Sequence, residues 1–453
     1  MRINSDPLAV RTEADLAELY GTQMQRKADR IDDQNKLDTS VVKTFMFDTH
    51  IEGAKADSHN ATLSYVSNVA EKLHCKIVPL NEANFFRLER KEGDRTNYFF
   101  LNGKRGYNRF WLLHTDAQLG SANSMHRTLT RLTGIDSAWL PKQLLKSIER
   151  GELPRGFTPG FDDITVVQDL LRKSTPEQAE QLVAQLIGVD LITGELVAES
   201  GTQERIKSTS LIIERENAVL PELTIRVWGD ASLSCLQMLD EHAQPEDPDY
   251  PNLPPRITTI LNFLDSLQRY VPLTRVRLRN SLDATGRSGG SVTNNINYVG
   301  RTVTSDRSFL NHLDFMDVVL KRYRHSVNWI ERHLVYSYDV KGGFSGEPTI
   351  ITFNPNSSYS LNQVVQRIFN SNYPFRLWGL PVERSATYVR VHAVDLHVGH
   401  DFTFEITPSS VKIELPRGIC GNTLNRFLSL FQQHYNTTAH IDKYDKELYG
   451  ATL

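Results

Sequence analysis

Apolar positions recur along this chain with two different periods, and the periods predict its elements. From Phe309 onward the apolar residues are Phe309, Leu313, Met316, Leu320, Tyr323, Val327, Ile330 and Leu334. Steps of four and three alternate, which predicts one long helix from about Asp306 to Leu334 with a heptad-like seam. Such a seam either packs against a sheet within the chain or receives a helix from a partner. Near the other end, Leu16, Leu19, Tyr20 and Met24 form a thinner stripe behind Thr12 and Asp15. That pattern predicts a capped helix that either docks or frays.

Between these helices the pattern shortens to strands. Val41–Phe47, Cys75–Val78, Phe85–Arg90, Tyr98–Leu101 and Phe110–Leu113 read as strands. Helical stripes separate some of them, including Leu63, Val66, Ala70 and Leu73. Gly134 and Gly151 read as helix stops. Thr175-Pro176-Glu177-Gln178 is a capping box with proline in the first turn, inside a predicted helical connector over 152–207. Strands return at 211–214, 223–228 and 274–280. Toward the C-terminus, 388–396, 402–406 and 411–415 are joined by turn sequences and predict an antiparallel meander. Ser360-Leu361-Asn362-Gln363 is a second capping box, and Leu424–Tyr435 a further helix. The expected class is α+β, with layered mixed units at 41–151, 208–304 and 335–453, a polar segment over 1–40 and the long helix at 305–334.

Totals narrow this reading only slightly. A chain of 453 residues holds about three domains. Its 40% apolar and 23% charged content is ordinary for a globular protein. Cys75, Cys235 and Cys420 are far apart and form no CxxC, which excludes zinc ribbons and redox dithiols and suits a reducing, cytoplasmic setting. The N-terminus has no apolar leader, and no apolar run is long enough to span a bilayer. Neither membrane attachment nor a cofactor is expected.

Charge changes the picture most. Residues 269–333 carry eleven Lys/Arg against five Asp/Glu, a net +6, in a chain whose total is −3. Arg275, Arg277 and Arg279 alternate along one predicted strand, so they share a sheet face while Val276 and Leu278 share the other. Three guanidiniums in a row suit a phosphate track. Arg287 lies in a Gly/Ser/Asn-rich loop over 283–297, Arg301 beside it, and Tyr298 is placed to stack on a base. The competing readings are an acidic protein partner, or a solvated face paired with the acidic, proline-rich segment 242–256.

Other candidate chemistry is sparser. Asp48 and His50 follow one strand, and His114 and Asp116 follow another. If the strand ends converged, they would suit a divalent metal and hydrolysis. His392, His397 and His400 cluster in sequence, but their parity scatters them over both faces of a strand. Pro416–Asn422 joins a strand to a helix, where two glycines and Arg417 suit an anion and Cys420 would be activated, with Asn422 as N-cap. No P-loop, dinucleotide-binding glycine motif or HExxH occurs. The expected protein therefore binds an anionic partner, nucleic acid first, without chemistry of its own and as part of a larger assembly. A protein-interaction scaffold is the second reading and a metal-dependent hydrolase the third.

Overall fold

The computed structural model describes residues 6–34, 42–50, 59–106, 109–149, 153–159, 225–226, 273–279, 294–304, 308–338, 344–354, 360–372, 374–441 and 448–449. Helices and antiparallel sheets are mixed, an α+β arrangement. After a 3-10 turn at Pro7–Ala9 come α1 (Glu13–Gln34), β1 (Val42–Thr49) and α2 (His59–Leu73). Then follow β2 (Lys76–Pro79), β3 (Phe85–Glu92), β4 (Arg95–Gly106), β5 (Phe110–Thr115) and α3 (Leu119–Thr130). Next are β6 (Ile135–Ser137), α4 (Lys142–Glu149), β7 (Leu153–Pro159), β8 (Ile225–Arg226) and β9 (Leu273–Arg279). The hairpin β10 (Asn294–Asn297) and β11 (Arg301–Thr304) leads into α5 (Phe309–His333). The remainder comprises β12 (Ser337–Tyr338), β13 (Phe344–Ser345), β14 (Thr349–Thr352), α6 (Leu361–Ile368), β15 (Leu377–Arg384) and β16 (Val389–Asp395). It ends with β17 (Asp401–Ile406), β18 (Ser410–Glu414), α7 (Asn422–His434) and β19 (His440–Ile441).

One large sheet runs β2-β3-β4-β5-β1-β11-β10-β9-β7-β8, with β6 also on β1. The stretches 41–151 and 208–304, read separately from sequence, are thus joined through the β1–β11 pairing, Val42 to Thr304. Residues 153–159, expected to begin a helical connector, instead form β7 against β9. The capping box at 175–178, the strand at 211–214 and the acidic segment 242–256 lie outside the described residues. A second sheet has the order β15-β16-β17-β18-β14-β19 and contains the expected meander. The capping box at Ser360 forms as its sequence requires, Ser360 and Gln363 each satisfying the other's backbone N–H.

Central strand β1 is buried along its whole length, because both faces are covered. On one face Met46, Phe110, Leu112 and Ile296 pack with α4 and α5. On the other, Phe45, Phe47, Trp111 and Leu113 pack with α2 and α3. The N-terminal helix does not fray at its start. Leu16, Leu19, Tyr20 and Met24 are buried with Phe85, Phe100, Phe309 and Leu313. Thr12 and Asp15 cap that helix reciprocally, each side chain accepting from the other's backbone N–H. The heptad-like seam of α5 is consumed inside the chain: all eight of its residues are buried. A partner helix is therefore not its occupant.

Two buried histidines tie α3 and α5 to the sheet. His126 stacks on Phe45 at 4.9 Å between ring centroids, and its Nε2 lies 2.9 Å from Ser137 Oγ. Thr44 Oγ1 lies 2.9 Å from His114 Nδ1 and 2.7 Å from His312 Nε2. The other nitrogen of His312 is 2.8 Å from Asn294 Oδ1. Burial, helped by the Arg301 guanidinium, pushes His126 down to about 4. Burial, and then His114, hold His312 well below the usual imidazole range. Both folded-state values lie below the unfolded value of about 6.5. Stability is therefore fullest above that pH and falls as acid protonates the unfolded chain first. Between pH 7 and 5 the thermal midpoint should drop, and drop less in His126→Gln, which keeps a polar partner for Ser137 without titrating. Equal drops in the two proteins, followed by circular dichroism, would rule out His126 as a contributor.

Candidate functional site

The basic strand β9 sits inside the large sheet, paired on one side with β10 and on the other with β7. Register assigns its positions to faces. Val276 lies opposite Ile296, which is buried on the α5 side, and Leu278 lies opposite Asn294, which bonds His312 of α5. Arg275, Arg277 and Arg279 therefore occupy positions on the opposite face, the one that carries α2 and α3 farther along the sheet. Arg275 is opposite Asn297, and the β10–β11 hairpin sets Asn297 against Arg301. The row continues to Phe45 on β1. Arg301 consequently shares a face, and a cross-strand row, with the first arginine of β9.

The Arg301 guanidinium donates to Asn123 Oδ1 on α3 at 3.0 Å. Its backbone N–H is held by the Asn297 side chain at 2.9 Å. Gly300 makes the turn possible, with φ +64° and an added Cβ only 2.6 Å from the Ala138 carbonyl oxygen. Tyr298 is placed differently from the sequence expectation. Its half-buried ring lies against Trp139, 5.9 Å between centroids, and packs against the α5-side core. It therefore does not stand beside the arginine row as a stacking platform. Arg287 lies outside the described residues, and the last part of its loop, 294–297, is strand.

The proposed metal constellation does not form. β1 and β5 are neighbours, but antiparallel ones, with Asp48 opposite Phe110 and His114 opposite Thr44. Asp48 and His50 are thus at one end of the pair, and His114 and Asp116 at the other. Four residues of strand separate Asp48 from the His114 row, about 13 Å. Asp48 binds Arg109 and His114 binds Thr44. Among the described residues no group of three His, Cys, Asp or Glu could hold a metal ion. His392 is exposed on β16 and His397 is buried in the following turn, so these two do not share a face either. His400 instead stands 5.8 Å, ring to ring, from the half-buried His50.

The strand-to-helix turn at Pro416–Asn422 is also occupied from within. Glu331 Oε1 accepts from the Gly421 N–H at 2.8 Å, filling the N-terminus of α7 with the chain's own carboxylate. Gly421, rather than Asn422, is the N-cap. Only glycine fits there, since a Cβ would lie 2.6 Å from the Val327 carbonyl oxygen. Cys420 is fully buried, and burial together with Asp48 raises its thiol well above the ordinary value. This is the reverse of the activation expected from the helix terminus alone, because desolvation and two carboxylates outweigh Arg109.

Around this turn is a polar junction that sequence reasoning missed. Arg109 grips Glu331 with two N–H···O contacts of 2.9 and 2.6 Å and donates to Asp48 at 2.9 Å. The Tyr323 hydroxyl lies 3.0 Å from Asp48 and 2.6 Å from Asn422 Oδ1. Asn422 Nδ2 donates to the Ser137 carbonyl at 2.8 Å. Arg426 bridges Asp136 at the end of the large sheet and Asp395 at the end of β16. Arg376 joins the cluster from a left-handed backbone, φ +55°, donating to the Thr130 and Ile135 carbonyls. Burial alone would raise the Asp136 carboxyl, but Arg426, His397 and Arg376 together hold it below the usual range. Local sequence carries no trace of this cluster, because Arg426 and Asp136 are 290 residues apart.

A family model described as MJECL33-like protein matches residues 5–218 and 252–449. The chain belongs to the MJECL33-like family. It is similar to the uncharacterized protein MJECL33 of Methanocaldococcus jannaschii, 24% identical over 441 residues, which are 96% of this chain and 95% of that relative. The matched spans contain β9–β11, α3 and the whole ionic junction, so both features lie within what the family model covers. Among the described residues, no helix is long and apolar enough to cross a membrane.

Removing Arg426 would strand two carboxylates that have no solvent access. Arg426→Met should cost about 3–5 kcal/mol. Glu331→Gln, at a partly exposed pair, should cost under about 1 kcal/mol. Urea unfolding compares the two; equal losses would contradict the burial ranking.

Proposed function

We propose that this protein binds nucleic acid through the basic face of its large sheet, with no chemistry of its own. One observation carries the reading. Register puts the Arg275, Arg277 and Arg279 positions and Arg301 on one sheet face. Sequence supplied the alternation within β9, and the hairpin adds a fourth arginine from a strand two places away. Positions two residues apart on a strand are about 6.7 Å apart. That is close to the 7 Å or so between neighbouring phosphates on one nucleic-acid strand, since a duplex carries one charge per about 3.4 Å of axis per strand and its backbone winds around that axis.

The surrounding charge favours the same reading. The +6 of residues 269–333 is set against −9 in the rest of the chain, so attraction to a polyanion is local and oriented. Each arginine that neutralises a phosphate releases counterions, and affinity falls with salt accordingly. A cytoplasmic setting and membership of a larger assembly are parts of the same proposal.

Fluorescence anisotropy with labelled nucleic acid, at low and near-physiological salt, tests it. The wild-type protein should bind with strong salt dependence. The triple variant Arg275→Gln, Arg277→Gln, Arg279→Gln should bind more weakly and lower the slope of log K against log salt by between about 2 and 3. A triple variant with the wild-type slope would remove β9 from the interface.

A further inference from the structure

We infer that the junction between the two sheets is an acid-sensitive latch, released when the buried imidazole of His397 takes up a proton. This inference does not depend on the nucleic-acid reading. His397 lies in the turn after β16 and is 0% exposed. Its backbone is fastened on both sides. The carbonyl accepts from the Gly134 N–H, just before β6, at 3.0 Å, and the amide donates to Asp395 Oδ1 at 2.9 Å. Its ring is not fastened. Among the described residues, neither Nδ1 nor Nε2 has a hydrogen-bond partner. Buried side-chain polar groups are ordinarily bonded at least once, so an imidazole with two unbonded nitrogens is an exception that calls for a role.

The charged groups around the ring come from four places: Asp136 on β6, Arg426 on α7, Asp395 on β16 and Arg376 just ahead of β15. Two carboxylates balance two guanidiniums, so a neutral imidazole leaves the junction without net charge. Every carboxylate oxygen is already engaged. Asp136 Oδ1 accepts from the Ser137 N–H and the Trp139 ring, and its Oδ2 from Arg426 and Asn422. Asp395 Oδ1 accepts from Arg426 and the His397 amide, and its Oδ2 from Thr423. A proton on His397 would therefore add an uncompensated charge away from water and a second N–H with no open acceptor. Burial accordingly holds the ring below the usual imidazole range, Asp136 and Asp395 opposing it and Arg426 and Arg376 assisting. Opening the junction returns the ring to water and to an ordinary value of about 6.5. Closure is thus fully favoured above that pH and is lost as pH falls below it. The contacts that part are those of Gly134 with His397, of Arg426 with Asp136, and of Arg376 with the Thr130 and Ile135 carbonyls. Together they hold one end of the C-terminal sheet to α3 and β6.

Amide hydrogen exchange on the full chain, read by NMR, tests the latch. The Gly134 amide is the reporter, because its bond crosses the junction. Between pH 7.5 and 5.5, after correction for intrinsic exchange rates, its opening should rise about tenfold in the wild-type protein, as expected for one group kept neutral when closed and free at about 6.5 when open. His397→Phe removes the titrating group and, since neither ring nitrogen is bonded, no hydrogen bond. In that variant the Gly134 opening should change less than about twofold over the same range. Circular dichroism verifies that the variant folds, and His397→Leu takes its place if the larger ring is not accommodated. The His397 ring resonances of the folded wild-type protein should show a neutral imidazole throughout this range. A wild-type opening that ignores pH, equal rises in wild type and variant, or a folded-state imidazole that titrates at its ordinary value would each overturn the assignment.

Discussion

Arg426 lies between two carboxylates that reach it from different sheets, and the architecture depends on that contact. Asp136 comes from the middle of β6, which pairs with β1, and Asp395 from the end of β16. All three side chains are at most 1% exposed. Charges so deeply removed from water are tolerated only when geometry and further hydrogen bonds satisfy them. Thr423 donates to Asp395, Asn422 and Trp139 donate to Asp136, and Arg376 approaches from a left-handed backbone position. The cluster thus fixes how the C-terminal sheet meets the large one, which apolar packing alone would specify less tightly.

Helix α5 is the other shared element. Its first turns pack with α1 and the large sheet, through Phe309, Leu313 and the His312–Thr44 contact. Its last turns pack with the C-terminal unit, and Glu331 closes the N-terminus of α7 while holding Arg109. Both ends of the helix are therefore packed within the chain, along a seam that reads from sequence like half of a coiled coil. The same tie couples the end of β1 and β5, through Asp48 and Arg109, to the turn that buries Cys420. Asp48, a candidate metal ligand by sequence, is instead paired with Arg109, and Glu331 occupies the N-terminus where an anion was expected.

Against this internally paired junction, the exposed arginines of α3 stand apart. Arg127 and Arg131 are exposed, and the Arg301 guanidinium donates to the side-chain oxygen of Asn123. Guanidinium groups thus fall into two kinds: buried ones that join the sheets, such as Arg426, and exposed ones on α3. Salt screens the second far more than the first.

Sequence alone determined the local elements, because each rests on short-range physics. The three-four seam of α5, the Ser360 capping box and the alternation in β9 follow from residues within a few positions of one another. Tertiary structure alone decided register and direction. Antiparallel pairing of β1 with β5 dispersed the Asp48, His50, His114 and Asp116 constellation that adjacent parallel strands would have gathered. Desolvation reversed the expected state of Cys420, and core packing withdrew Tyr298 from the face. The Arg426 cluster unites residues hundreds of positions apart. Pairing across such distances depends on which surfaces meet after folding, and no local period in the chain encodes it.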